Sequence, residues 1–196
     1  MLWKKSKLIF LIILFNSSII GLIFPDFDYY YIKTTFFKEF IGHRSILTHS
    51  IIIPSFVWFL ISEKIKINKN FVLIVIGLFF GLSLHLAADF FPKNVGEGEL
   101  IKLPGNISIG KFSQLWIALN FFAGLFIVKK LLNKFFKEKY YKTYFLICST
   151  ILTFIYIFLE SDNQILILIT FLISLFVIIL FDNNYFKIKK KKINRN

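Results

Sequence analysis

The chain has 196 residues, a length that suits one compact domain. Hydrophobic residues make up 57% of it, mean hydropathy is +0.70 and formal charge is +13. Its apolar residues gather into long runs separated by lysine-rich gaps, which excludes the amphipathic patterning of an ordinary water-soluble domain and fits a bilayer. The single cysteine, Cys148, excludes an internal disulfide and a cysteine-built zinc site, so any metal must use His, Asp or Glu. Because the basic residues flank the apolar runs, the partners implied are the lipid bilayer and anionic lipids at its cytoplasmic face, not nucleic acid.

The first run, residues 8–24, follows Lys4, Lys5 and Lys7. No small-x-small cleavage site succeeds it, and Pro25-Asp26-Phe27-Asp28 comes directly after, so a retained helix is expected here, not a cleaved leader. The second run, 51–61, is short for a bilayer and reaches spanning length only if residues 46–50 join it, with Thr48, His49 and Ser50 in the first turns of the helix. Pro54 is tolerated that early. The third run, 71–91, carries His85 and Asp89 in its last turns and stops at Pro92. A polar gap rich in glycine follows. The fourth, fifth and sixth runs cover roughly 112–128, 140–159 and 165–181. The expected fold is all-α: a polytopic membrane bundle of about six transmembrane helices in one domain, 1–186, with a polybasic cytoplasmic tail, 187–196.

Lysine and arginine set the orientation. With the N-terminus in the cytoplasm and all runs spanning, only Lys33, Lys38, Arg44, Lys93, Lys102 and Lys111 of the 24 basic residues fall outside. Both termini are therefore expected to be cytoplasmic, in a multi-pass protein of the cytoplasmic (inner) membrane. On that topology Asp26, Asp28, His43, Arg44, His49, His85 and Asp89 all lie at the outer face, and they include all three histidines of the chain. His85 and Asp89, four apart, share one helix face and can reach one ion. Imidazole with carboxylate suits zinc, and also manganese or iron. Asp26 and Asp28 reach a common ion only if their segment turns, which Pro25 favours. Taken singly, each residue has a plainer role: His85 packing between helices, Asp26 capping, Arg44 snorkelling to headgroups. Their coincidence at one level favours a site, because ionisable groups in membrane runs are costly.

Three stretches, Pro25-Asp26-Phe27-Asp28, His43-Arg44-Ser45-Ile46-Leu47-Thr48-His49-Ser50 and His85-Leu86-Ala87-Ala88-Asp89, resemble the motif series of the YdjM-like (DUF457) family of membrane-bound metal-dependent hydrolases, which shows PDxD, HRGxTHS-like and HxxxD elements in this order. The resemblance covers residues 20–95. Ser45 stands where glycine is expected, and Ile46 is an extra residue before Leu47-Thr48-His49. The resemblance implies a hydrolase with a divalent metal, zinc first, held by His43, His49, His85, Asp89 and Asp26 or Asp28. The aspartate outside the ion's ligand set, Asp28 in the first instance, would act as general base and Arg44 would hold a phosphate. A lipid or lipid-linked phosphoester is the expected substrate. The alternatives are a non-catalytic substrate-binding or transport subunit, whose His and Asp residues would bind a solute, and a structural membrane protein whose polar cluster only locks helices together.

Overall fold

The computed structural model describes residues 2–28, 44–64, 68–89, 101–105 and 107–159, together with Ile165, Leu168, Ile169 and Leu172 of the last apolar run. His43 and the polybasic tail lie outside the described residues. The described part is mostly helical. The first run folds as α1 (Leu2–Ile23), which takes in the flanking lysines and passes into a short 3₁₀ turn, Phe24–Asp26, where Pro25 occupies a position that needs no N–H.

Residues 44–50 are turns, and α2 (Ile52–Lys64) begins only after them. The expectation that residues 46–50 extend this helix is corrected: Thr48, His49 and Ser50 precede it. Two side-chain bonds explain the late start: Asn120 Oδ1 accepts the Ile51 N–H at 3.0 Å and the Ser50 hydroxyl accepts the Ile52 N–H at 3.3 Å, so these donors are capped from outside the helix. Pro54 then falls at the third helical position, within the first turn. At 13 residues α2 rises only about 20 Å, short of a hydrocarbon core.

The centre of the bundle is α3 (Lys69–Asp89), buried along most of its length. Small residues let α1 approach it closely. A Cβ on Gly81 would meet the Ser18 backbone, one on Gly77 would meet the Ser17 side chain, and one on Gly21 would meet the Leu78 carbonyl. On its other side α3 packs against α4 (Phe112–Phe135), where Gly124 faces the Ser83 hydroxyl. This helix runs past the expected boundary near residue 128 and through Lys129, Lys130 and Lys134, because lysines end an apolar run without ending a helix. α5 (Lys139–Leu159) matches the fifth run and returns along α1, with Phe10 against Phe136 and Tyr141 at ring separations of 5.5 and 4.9 Å.

Within the glycine-rich gap lies a hairpin that the apolar runs do not announce, formed by β1 (Lys102–Leu103) and β2 (Ile107–Ser108). Gly105 takes the left-handed conformation its turn requires, at φ 84°. A parallel bridge joins Ser45 to Lys102: Lys102 N–H donates to the Arg44 carbonyl at 3.0 Å, and Ile46 N–H donates to the Lys102 carbonyl at 2.8 Å. The loop bearing Arg44 is thereby stitched to the hairpin.

Three described segments are long and apolar enough to cross a membrane: Lys7–Asp26, Lys69–Asp89 and Phe112–Phe135. The apolar residues that α1, α4 and α5 leave exposed, among them Ile12, Leu119, Phe122, Phe126 and Phe154, form the outward faces that a lipid environment would cover.

Candidate metal centre

Three elements converge at the end of α3. The helix itself supplies His85 and Asp89, one turn apart on one face as their spacing requires. The turn before α2 supplies His49, and the 3₁₀ turn after α1 supplies Asp26 and, just beyond it, Asp28. The loop is held in place from the far side by Asn120 of α4, whose Oδ1 accepts the Ile51 N–H at 3.0 Å while its Nδ2 donates to the Trp116 carbonyl at 2.8 Å.

Among the described residues one group of ligand-type side chains lies close enough to hold a metal ion: His49, His85 and Asp89, with one donor atom from each within 4.8 Å of the others. Asp89 Oδ2 lies 3.2 Å from His49 Nε2 and 3.2 Å from His85 Nε2. The two imidazole rings stand 5.3 Å apart, inclined at 67°. His49 and His85 are buried, and Asp89 is partly so. His85 Nε2 and Asp89 Oδ2 are shielded from solvent and lie 3.2 Å apart without an aligned hydrogen bond. Buried polar atoms that lack an aligned bond are costly, and both of these face the same centre as His49 Nε2. Two imidazole nitrogens and a carboxylate oxygen make a donor set that zinc, manganese or iron accepts, and three protein ligands leave a coordination position open. The cluster fits a divalent ion.

The other expected residues surround this cluster in distinct ways. Asp26 is half exposed, with Oδ1 3.9 Å from His85 Nε2, at the open edge. Asp28 is fully buried on the opposite side of His49, facing Nδ1 at 3.5 Å. The 3₁₀ turn sends the two aspartates apart, one to each histidine. Arg44 places a guanidinium nitrogen 3.5 Å from Asp89 Oδ1, and its backbone holds φ 63°, a conformation that costs a side-chain-bearing residue. His43, directly before it, is outside the described residues.

Two contributors carried no sequence signal strong enough to single them out. The Ser45 N–H donates to Asp28 Oδ2 at 3.0 Å, and the Thr48 hydroxyl donates to the same oxygen at 2.7 Å. Thr48 Oγ1 also lies 3.0 Å from His49 Nδ1. Thr48 stands next to a histidine in the quoted motif, but only the folded chain brings Asp28 to it. Comparison with known protein families, curated proteins and solved structures finds no match for this chain, so the resemblance to the YdjM-like hydrolases rests on the three motifs themselves.

Proposed function

We propose that this chain is a metal-dependent hydrolase of the cytoplasmic membrane, cutting a lipid or lipid-linked phosphoester at the outer face, with about six spans and both termini cytoplasmic. The observation that carries the reading is the convergence of His49 Nε2 and His85 Nε2 on Asp89 Oδ2, each at 3.2 Å, with no aligned hydrogen bond at His85 Nε2 or Asp89 Oδ2. Zinc is the first choice on this donor set, with manganese or iron as alternatives. A divalent ion held there supplies Lewis acidity, lowering the pKa of a water and polarising the ester to be cut.

The protein's own groups supply the rest. His49, His85 and Asp89 hold the ion, and Asp26 at the open edge is placed to complete the ligand set or to take a proton from the attacking water. Arg44, alongside Asp89, offers a planar fork of donors to a phosphate bound next to the ion. Leu84 and Leu86, on either side of His85 in α3, are buried, so the helix side of the cluster is kept from water.

Elemental analysis of the detergent-purified protein tests this directly. The expected result is one or more equivalents of zinc, manganese or iron in the wild type and none in a folded His85→Ala/Asp89→Ala variant. A protein that stays metal-free after loading and desalting, or a variant that retains full metal, would overturn the metal reading. A tightly copurifying solute in place of metal would favour a substrate-binding subunit.

A further inference from the structure

His49 Nε2 faces the carboxylate of Asp89, and the imidazole can act as a ligand there only if that nitrogen carries a lone pair. The other side of the ring decides this. Asp28 Oδ2 accepts both the Ser45 N–H and the Thr48 O–H, the latter at the short distance of a charge-assisted bond. With its one proton committed to Asp28, the Thr48 oxygen presents a lone pair to His49 Nδ1 at 3.0 Å. Asp28 Oδ2 itself, 3.5 Å away, is also an acceptor toward that nitrogen. Both neighbours of Nδ1 require a proton on it.

We infer that Asp28 and Thr48 are positioning residues which fix His49 as the Nδ1–H tautomer and aim its Nε2 lone pair at the metal centre. Asp28 then acts through His49 and is not a ligand. This rests on the proposed metal centre for its purpose, but the contacts that hold a proton on Nδ1 belong to the protein alone, whereas Nε2, 3.2 Å from Asp89 Oδ2, faces the place an ion would take. The Ser45 N–H, delivered by the loop that Lys102 stitches to the hairpin, stabilises the buried Asp28 carboxylate and so ties the hairpin mechanically to the site. Outer carboxylate–histidine contacts of this type orient ligands and raise their basicity, and removing them weakens metal binding by about 10–100-fold.

Two measurements on the full-length protein separate this inference from the metal reading. The first is the ¹⁵N NMR spectrum of metal-free, histidine-labelled protein, with the His49 signals identified by a His49→Gln variant. The expected result is a protonated Nδ1. A ring that carries its proton on Nε2 alone overturns the inference without any reference to metal. The second is zinc affinity, by chelator competition, of Thr48→Val, Thr48→Ser and Asp28→Asn. Thr48→Val, which keeps the shape and loses the hydroxyl, and Asp28→Asn should each bind zinc about 10–100-fold more weakly. Thr48→Ser should remain within about threefold of wild type. A folded Thr48→Val protein with wild-type affinity, or a Thr48→Ser protein as weak as Thr48→Val, overturns it. A wild type that binds no zinc yet shows the Nδ1–H tautomer leaves the positioning intact and overturns the metal reading instead.

Discussion

Arg44 combines two demands that conflict locally. Its guanidinium reaches Asp89, while its backbone sits at φ 63°, where an L side chain is disfavoured by roughly 1–2 kcal/mol. The carbonyl that this conformation presents accepts the Lys102 N–H, so the strain is offset by a backbone bond to the hairpin. Replacing the side chain separates the two effects. Arg44→Gly should be more stable than Arg44→Ala by about 1 kcal/mol in thermal unfolding, because only glycine relaxes at this φ. Both should lose affinity for inorganic phosphate equally, by about tenfold or more, because both lack the charged donors. Unequal phosphate affinities would mean that the backbone conformation, and not the guanidinium, governs anion binding. At this scale the sequence was legible where chemistry is local. His85 and Asp89 share a face because 3.6 residues make a turn, and the structure brings both into one cluster. The division of Asp26 from Asp28 was not legible, since it depends on a single 3₁₀ turn, Phe24–Asp26, that forms between two packed helices.

Among the helices, α1 and α3 are held together less by large side chains than by the absence of them. Ser17, Ser18 and Gly21 face Gly77 and Gly81 across the contact, and in lipid such close backbone approach takes the place of a hydrophobic driving force. Gly81 lies one turn before His85, so an added methyl there pushes directly on the helix that carries two of the three cluster residues. Gly81→Ala should destabilise the protein by about 1–3 kcal/mol, the range for overpacking a tight contact, and should lower metal occupancy with it. Leu119→Ala, on the exposed face of α4, should do neither. The buried lone Cys148 gives the readout: a thiol-reactive fluorophore will report unfolding at a lower temperature in Gly81→Ala and at the wild-type temperature in Leu119→Ala. Equal midpoints in all three proteins would show that α1 yields to the methyl. Apolar runs in the sequence located α1, α3, α4 and α5 to within a few residues at most ends, because continuous hydrophobicity in a membrane chain marks helices directly. It failed at both ends of what it measures. Lysines extend α4 beyond the apolar run. Two-residue strands such as Lys102–Leu103 and Ile107–Ser108 are too short to show alternation, and only Pro104-Gly105 hinted at their turn.

For the molecule as a whole, the side of the membrane on which the cluster lies decides which lipids it can meet. The end of α3 bearing His85 and Asp89, the hairpin and the start of α4 occupy one level, stitched together through Arg44, Ser45 and Lys102. The 24 residues of α4 rise about 36 Å, enough to carry the chain across a bilayer, and its far end holds Lys129, Lys130 and Lys134. Positive charge is retained in the cytoplasm, so this lysine-rich end should be inside and the cluster outside. Single cysteines introduced into a Cys148→Ser background test the assignment. Pro104→Cys, at the exposed hairpin tip, should react with a membrane-impermeant maleimide in intact spheroplasts. Lys137→Cys, just beyond α4, should react only after lysis. The reverse pattern would move the cluster to the cytoplasmic leaflet and with it the class of accessible phosphoesters, leaving the chemistry of His49, His85 and Asp89 unchanged. Reaction of both in intact cells would show that α4 does not cross, and since α3 packs against α4, the central helix would then have to be placed anew with it.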